Sequence, residues 1–140
     1  ADGAVALQMS PLPTPPPDPA PVALVPLPTD AGDWRLHHKT GDRSFYDDAR
    51  RASGAFECLF VARDGLLTEG SFTSLFVARD GLLLTPPARL GLLPGVLRAE
   101  LLAAGRAREA ELSAADLADG FLLGNSLRGL FRARLADAPA

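Results

Sequence analysis

Short apolar blocks separated by polar turns run through the chain and predict strands and helices in mixed order. The segment LFVARDGLL occurs at 59–67 and again at 75–83, a displacement of 16 residues. In each copy an apolar run meets Arg-Asp-Gly, which signals a hairpin turn, and then resumes with Leu-Leu. We predict two adjacent hairpins that form a meander. A single pair of copies is far from a repeat architecture.

Two helices are predicted, one before and one after the hairpins. Residues 43–52 are compatible with a helix, with Asp42 as a capping candidate and Gly54 as its stop. A second helix begins in the segment LPGVLR at 93–98 and ends near Gly105. Helices of this length pack outside a sheet in small mixed domains.

The last third of the chain predicts a short helix and two strands. Ser113 and Asp116 have the spacing of a capping box. An apolar strand at 121–123 ends in the polar turn 124–126, and 130–135 is a candidate last strand. Together with the hairpins, these elements predict an α+β fold in which helices pack on a mixed sheet.

The beginning of the chain is rich in proline. Residues 11–28 hold nine of the thirteen prolines, and the missing N–H donors exclude a helix or a central strand there. We therefore interpret residues 1–28 as an interdomain connector with short edge strands at 4–9 and 22–25. Residues 29–140 then form the domain that carries the chemistry.

Composition excludes several classes of partner. The net charge is −3 and the thirteen arginines are scattered, which argues against nucleic-acid or anionic-membrane binding. The single Cys58 cannot form an internal disulfide, and no apolar run approaches the roughly 20 residues of a membrane span. The first residues lack a signal-peptide pattern, so we expect a cytoplasmic protein.

Lys39 is the only lysine among fourteen basic residues. Arginine stays protonated and cannot form an imine, whereas a lysine amine can act as a nucleophile, a Schiff-base partner or a general base. A lone lysine in an arginine-rich chain therefore suggests chemistry that arginine cannot perform. An ordinary surface lysine remains the alternative.

Three further polar positions follow Lys39 at intervals of about thirty residues, a spacing that suits loops converging on one site. They are Glu69, the turn at 94–97 and the turn at 124–126. Each has an ordinary explanation, because a glutamate beside glycine is commonly solvated and both turns could be simple chain reversals. Taken together they offer an amine, a carboxylate and two clusters of neutral donors.

Both turns have features of phosphate sites. The amides of Val96 and Leu97 fall at the start of the second helix, where N–H groups lack helical partners and attract anions. Asn125 and Ser126 place small donors after a strand, in a second possible anion-binding turn. An amine, a carboxylate and a phosphate cradle are what a pyridine cofactor with a phosphate tail requires.

Four segments carry a resemblance to a known family. HHKTGDRSFYDDAR, LLTEGSFTSLFV, LLTPPARLGLLPGVLRAELL and FLLGNSLRGLFRARL resemble the successive motifs of class IV pyridoxal-phosphate enzymes. This group includes aminodeoxychorismate lyase, branched-chain aminotransferases and D-amino acid aminotransferase. The resemblance covers about residues 20–136. It implies the C-terminal large domain of a fold type IV enzyme, an α+β domain with pyridoxal 5'-phosphate as cofactor.

The resemblance also implies a role for each matching residue. Lys39 matches the lysine that bonds to the cofactor and moves protons, and Glu69 matches the acid that pairs with the pyridine nitrogen. Val96 and Leu97 match the positions whose backbone amides hold the phosphate. Asn125, with Ser126, matches the second phosphate-binding turn.

Within the family, the K-T-x-D-R form around Lys39 and the G-N-S-L-R-G-L segment are most similar to aminodeoxychorismate lyases, including those fused behind a synthase. Branched-chain aminotransferases usually have Tyr five residues after the lysine, and Ser44 stands there. The resemblance implies a lyase of folate biosynthesis that releases pyruvate and 4-aminobenzoate. An amino-acid aminotransferase of the branched-chain or D-amino acid type is the second hypothesis.

Family members carry a small N-terminal domain ahead of the connector. We therefore interpret the chain as a fragment that forms a homodimer in the whole enzyme, and whether it is active alone stays open. A non-catalytic dimerisation domain is a further hypothesis. We expect no metal site, because adjacent His37 and His38 point to opposite sides of an extended segment. We expect Cys58, in an apolar strand, to be an inert buried thiol.

Overall fold

The computed structural model describes residues 3–137, in which eight strands form one mixed sheet and two α-helices pack against it. The strands are β1 (Ala20–Pro26), β2 (Glu57–Val61), β3 (Leu67–Gly70), β4 (Ser74–Arg79), β5 (Leu82–Thr85), β6 (Ala107–Glu109), β7 (Phe121–Asn125) and β8 (Gly129–Leu135). The helices are α1 (Ser44–Ser53) and α2 (Val96–Ala103), with short 3₁₀ turns at Trp34–Leu36, Ala88–Leu90 and Ala114–Leu117. The α+β prediction is confirmed.

The sheet is curled. Its strand order is β3-β2-β1-β8-β7-β4-β5-β6, so four strands separate β3 from β4. In a flat sheet these two strands would lie about 24 Å apart, because neighbouring strands are about 4.8 Å apart. Only residues 71–73 join them, a link that spans at most about 14 Å. The sheet must therefore bend until β3 and β4 approach each other, and the site lies where they meet.

β1 lies inside the sheet, so the prediction of an edge strand at 22–25 was wrong. It pairs in parallel with β2 over Val22 to Pro26 and with β8 over Ala20 to Val22. Among the paired residues only Val22 has a partner on both sides. Pro21 pairs only towards β8 and Pro26 only towards β2, so each proline lies where one neighbour is absent and its missing donor is tolerated.

The segment at 4–9 is not a strand, which corrects the second edge-strand prediction, and most of residues 3–17 are exposed. The apolar side chains of Val5, Leu7 and Met9 have no face of the sheet to cover and are 85–97% exposed. Of the predicted ranges 1–28 and 29–140, residues 1–2 and 138–140 lie outside the described part of the chain.

Both copies of the repeat form hairpins, as predicted, but they do not form a meander. β2 pairs antiparallel with β3, and β4 pairs antiparallel with β5. β4 takes β7 as its other partner instead of β3. The choice depends on strands far apart in sequence that compete for the same edge, which the local pattern does not encode.

The helices begin close to their predicted positions. α1 starts at Ser44, with Arg43 rather than Asp42 at its N-cap and no side-chain cap, and it ends at Gly54 in the left-handed conformation. Asp42 instead lies 3.5 Å from Arg35 in an ion pair. α2 follows Gly95, and its buried Arg98 donates to the Pro86 carbonyl at 2.8 Å. This contact ties α2 to the end of β5.

The last third of the chain matches its prediction except for one strand. The capping box of Ser113 and Asp116 opens the turn at Ala114–Leu117. β7 and β8 pair antiparallel with Asn125 and Gly129 at the tip. β6 was not predicted, because a three-residue strand with two charged side chains has no apolar alternation to reveal it.

The core has a main cluster around Leu59, Leu75 and Leu123 and a smaller cluster under α1. In the smaller cluster the rings of Tyr46 and Phe60 stack with centroids 4.0 Å apart. This stacking fixes α1 against β2 and directs the Tyr46 hydroxyl towards β3. Within residues 3–137, no helix is long and apolar enough to cross a membrane.

Candidate active site

A cavity of about 520 Å³ opens where β3, β4, β7 and the starts of α1 and α2 converge. All six residues singled out from the sequence line this cavity. They are Lys39, Glu69, Val96, Leu97, Asn125 and Ser126. Positions separated by up to 87 residues in sequence therefore share one concave surface, which is the usual form of a small-molecule site.

Lys39 reaches the cavity from the segment between the 3₁₀ turn at Trp34–Leu36 and α1. The turn is capped by Asp33, which accepts from the Arg35 amide at 2.9 Å, and is anchored by the fully buried Leu36. Lys39 itself is exposed and forms part of the cavity wall. Its amine is thus accessible to a molecule that enters the cavity.

Glu69 projects from β3 into the cavity with only 6% of its surface exposed. Its Oε1 accepts from the Arg43 guanidinium at 3.0 Å and from the Tyr46 hydroxyl at 3.2 Å. Its Oε2 accepts from the Leu93 amide at 3.1 Å. Because each carboxylate oxygen can accept about two hydrogen bonds, the contacts of Oε2 with the described residues leave it one acceptor position.

Burial dominates the electrostatics of this carboxyl. Desolvation raises the pKa of Glu69 from its ordinary 4.5 to about 7, while the charge of Arg43 and the bond from Leu93 oppose the shift. The Tyr46 hydroxyl is held neutral, since burial and the neighbouring Glu69 raise its pKa well above its ordinary value. A carboxyl with a raised pKa in a cleft is typical of functional sites.

The start of α2 presents backbone donors to the cavity. Gly95 occupies the N-cap without a side-chain cap, and Val96 and Leu97 form the first turn. N–H groups in a first turn have no partner within the helix. A Cβ on Gly95 would lie 3.2 Å from the Ser74 hydroxyl, so glycine lets this turn pack closely against β4.

The turn after β7 is shaped by the side chain of Asn125. Its Nδ2 donates to the Phe72 carbonyl at 3.1 Å, and its Oδ1 accepts from the amides of Leu127 and Arg128 at 3.1 and 2.9 Å. The Asn125 side chain therefore stabilises its own turn through Oδ1 and links it to Phe72 through Nδ2. Exposed Ser126 lies in the cavity wall beside it.

Sequence reasoning missed Arg43 and Tyr46, which hold Glu69. Both follow Lys39 within the segment HHKTGDRSFYDDAR and lie three residues apart at the start of a helix, but nothing in that segment indicates Glu69 as their partner. It also missed Glu57, which lies behind the cavity wall. Nothing in the local pattern distinguishes Glu57 from a solvated residue at the start of a strand.

The remaining candidates lie away from the cavity. Cys58 is fully buried in β2, and burial raises the pKa of its thiol to about 12, which accords with an inert role. His37 and His38 are exposed, and neither forms part of the cavity wall. The Nε2 of His37 lies 3.1 Å from the Ala31 carbonyl oxygen.

The fold has counterparts among solved structures. A protein from Mesorhizobium loti assigned as an amino-acid aminotransferase is 42% identical with a TM-score of 0.78, covering 86% of this chain and 61% of its own. One from Legionella pneumophila assigned as a 4-amino-4-deoxychorismate lyase is 26% identical with a TM-score of 0.77, covering 89% and 50%. A fold IV transaminase from Curtobacterium pusillum, 23% identical, has the same fold with a TM-score of 0.72, covering 86% of this chain and 47% of its own. The fold is therefore that of the fold-IV aminotransferases.

The sequence profile of the family described as amino-transferase class IV matches residues 1–136. The chain therefore belongs to the class IV aminotransferase family, which confirms the resemblance read from the four motifs. A hypothetical aminotransferase from Mycobacterium tuberculosis, solved in a PLP-bound form, is 28% identical with a TM-score of 0.73, covering 84% of this chain and 48% of its own. No curated protein matches the chain.

The chain spans between about half and three fifths of the length of these solved chains. The similarity thus concerns one part of each relative.

Proposed function

We propose that this chain is the cofactor-binding domain of a pyridoxal-phosphate enzyme, with Lys39 as the residue that holds the cofactor. The observation that carries the proposal is the convergence of Lys39, Glu69 and the turns at 94–97 and 124–126 on one cavity. The M. tuberculosis relative in its PLP-bound form supports the choice of cofactor.

The donor set fits this cofactor. Glu69 keeps a free acceptor position on Oε2, which suits a protonated pyridine nitrogen. The first-turn amides of Val96 and Leu97 suit a phosphate, because the N-terminus of a helix attracts anions. Ser126 adds an exposed hydroxyl to the cavity wall. The cavity volume lies in the range typical of small-molecule sites.

Pyridoxal phosphate supplies an aldehyde for attachment of amines and an electron-withdrawing ring that stabilises a carbanion. The chain's part is to hold and orient this group. The Lys39 amine binds it and moves a proton at Nζ. Arg43 and Tyr46 hold Glu69 in place, and a pyridinium would favour the ionised form of this carboxyl as the Arg43 charge does.

Two reactions are compatible with the site. The K-T-x-D-R and G-N-S-L-R-G-L segments and the similarity to the L. pneumophila protein support a 4-amino-4-deoxychorismate lyase that releases pyruvate and 4-aminobenzoate. The similarity to the M. loti protein supports an amino-acid aminotransferase. We place the lyase first because two segments of the site itself favour it. In the whole enzyme we infer a cytoplasmic homodimer with an N-terminal small domain or a fused synthase domain.

The test of cofactor binding is attachment at Lys39. The 140-residue chain is mixed with pyridoxal phosphate, reduced with borohydride and mapped by peptide mass spectrometry. We expect a visible absorption band before reduction and one modified residue, Lys39, after it. Lys39→Arg, which keeps the charge, should lose both signals. A parent chain without the band, or modified only at its N-terminal amine, would contradict the proposal.

The reaction is then tested on the loaded chain. Release of pyruvate from aminodeoxychorismate without an amino acceptor supports the lyase. Transfer of an amino group from an amino acid only when 2-oxoglutarate is present supports the aminotransferase. Absence of both products from the whole enzyme, which would also contain the inferred N-terminal domain, favours the non-catalytic dimerisation domain.

A further inference from the structure

The side chain of Glu57 accepts five hydrogen bonds, more than the side chain of any residue in the cavity wall. Glu57 itself does not line the cavity. Its side chain is fully buried at the start of β2. Its Oε1 accepts from the amides of Cys58 (2.9 Å) and Ser71 (3.0 Å) and from the Ser71 hydroxyl (2.6 Å). Its Oε2 accepts from the Phe72 amide (3.2 Å) and the Thr73 hydroxyl (2.9 Å). Three of the five partners are backbone N–H groups, which can only donate, and the other two are hydroxyls.

Four of these five bonds come from the 70–73 turn, which joins β3 to β4 and forms part of the cavity wall. Burying a carboxylate is unfavourable unless its acceptor sites are filled, and an apolar residue would pack in this position at less cost. Burial indeed raises the pKa of Glu57, while the bonds from Ser71, Phe72 and Thr73 lower it. On balance the pKa of Glu57 is raised. What distinguishes this buried carboxyl is therefore the set of hydrogen bonds that it accepts from the turn.

Gly70 allows the turn to close around the carboxylate. Its amide donates to the Thr73 carbonyl at 2.8 Å. A Cβ on Gly70 would lie 2.3 Å from Thr73 Oγ1 and 2.8 Å from Glu57 Oε2, which is closer than atoms approach without displacement. The glycine and the carboxylate thus form one tightly packed unit.

The 70–73 turn contacts the other walls of the cavity. Glu69 directly precedes it, so the backbone of the turn sets where that side chain leaves β3. The Phe72 carbonyl accepts from Asn125 at 3.1 Å, which joins it to the turn after β7. Ser74, directly after it, packs against Gly95 at the start of α2.

We propose that Glu57 is a positioning residue: its buried carboxylate holds the 70–73 turn and thereby sets the geometry of Glu69 and of both candidate phosphate-binding turns. The proposal rests on the proposed function for its consequence in cofactor binding. The hold on the turn itself can be tested without any cofactor.

The test compares three variants of the full chain. Glu57→Gln keeps the volume but places an NH₂ group against two of the donors. Ser71→Ala removes only the 2.6 Å hydrogen bond from the Ser71 hydroxyl to Glu57 Oε1. It replaces Glu57→Gln as the test variant if Glu57→Gln does not fold. Thr68→Val is the matched control, because Thr68 is buried beside Glu69 but its hydroxyl donates to the Phe60 carbonyl, away from the turn.

The first readout is the titration of the Glu69 carboxyl by ¹³C NMR, assigned by its loss in Glu69→Gln. The groups that face Glu69 are Arg43, Tyr46 and the Leu93 amide. In the Glu57→Gln variant we expect the pKa of Glu69 to fall from about 7 towards 4.5, because a loosened turn admits water to this carboxyl. We also expect the Ser71 and Phe72 amides to exchange at least about tenfold faster. Ser71→Ala should shift both readouts in the same direction by less.

Parent-like titration and exchange in Glu57→Gln would overturn the proposal, as would an equal shift in Thr68→Val. If Glu57→Gln does not fold, unchanged readouts in Ser71→Ala overturn it.

The second readout is the dissociation constant of pyridoxal phosphate, which should rise about tenfold or more in Glu57→Gln and stay within about twofold in Thr68→Val. Equal constants in the parent and Glu57→Gln would overturn the cofactor consequence. A parent that binds no pyridoxal phosphate contradicts the proposed function instead, and the titration and exchange still decide the role of Glu57.

Discussion

Glu69 combines deep burial with a charged partner, and burial has the larger effect on its pKa. The folded chain therefore binds a proton at Glu69 more tightly than the unfolded chain does between pH 4.5 and about 7. Stability contributed by a raised pKa is present at low pH and is lost as the pH rises through the folded value. The cofactor-free chain should thus be less stable at pH 8 than at pH 5.

We predict that Glu69→Gln removes much of this pH dependence. The free energy of unfolding of the parent should fall between pH 5 and pH 8 by about 3 kcal/mol more than that of Glu69→Gln, as the shift in pKa requires. Urea unfolding at both pH values measures the difference. The control is Glu100→Gln, a change at an exposed side chain. Its free energy of unfolding should change between pH 5 and pH 8 by as much as that of the parent. Parallel curves for the parent and Glu69→Gln would refute the prediction.

Single residues could be selected from the sequence when their type alone was unusual. Lys39 stood out as the sole lysine and Glu69 as an acid beside glycine among apolar residues. Arg43, Tyr46 and Glu57 are of ordinary type, and their importance comes from partners up to 26 residues away. Through-space contacts of this kind have no one-dimensional signature.

Gly91 connects the segment that carries Lys39 to the segment that leads into α2. It has a φ of 82° in the left-handed region, and a Cβ there would lie 2.7 Å from the Ala31 carbonyl oxygen and 2.9 Å from Leu36 Cδ1. The segment that carries Lys39 and the segment that leads into α2 thus approach each other at a position that only glycine fits.

We predict that Gly91→Ala destabilises the chain by about 3 kcal/mol, because left-handed strain and overpacking act together. Gly32→Ala is the matched control: a Cβ there meets nothing within 4 Å, so its effect should stay within about 0.5 kcal/mol. Urea or thermal unfolding of both variants measures this. Equal stabilities for the two variants would show that the approach at Gly91 does not constrain the fold.

Elements with a complete local signal were predicted well. The Arg-Asp-Gly turns, Gly54 after α1 and the capping box at Ser113 each act within a few residues, and each produced the expected hairpin or helix end. The pairing partners of the hairpins were predicted wrongly. Hydrogen-bond partners in a sheet are set by competition among all strands, and the local pattern carries only the period of each strand.

Within the described part of the chain, every buried residue lies in the stretch from the start of β1 to the end of β8, residues 20–135. The segment before it contributes little, since Val5, Leu7 and Met9 are largely exposed. Its described side-chain contacts include the Thr14 carbonyl with Arg128 and the Asp18 carboxylate with Arg132, both at the surface. Surface ion pairs of this kind add about 1 kcal/mol at most.

We predict that thermolysin, which cleaves before large apolar residues, cuts first within 3–17 and leaves a resistant core that begins at or before Leu12, the last large apolar residue ahead of Asp18. A chain that starts at Asp18 should keep its cooperative unfolding, with a free energy of unfolding within about 1 kcal/mol of the parent. Mass spectrometry of the first fragments and urea unfolding of the shortened chain check this. A first cut inside β1–β8, or loss of cooperative unfolding, would contradict the prediction.

Sequence alone was sufficient for the family, the α+β class and the residues brought together at the cavity, because residue type, turn chemistry and motif order are local properties of the chain. Tertiary structure decided the rest. It placed proline-flanked β1 inside the sheet, separated the two hairpins, and surrounded Glu69 with Arg43 and Tyr46. The physical reason is that burial and strand pairing depend on which distant segments compete for the same contacts, and that competition is resolved only when the whole chain folds.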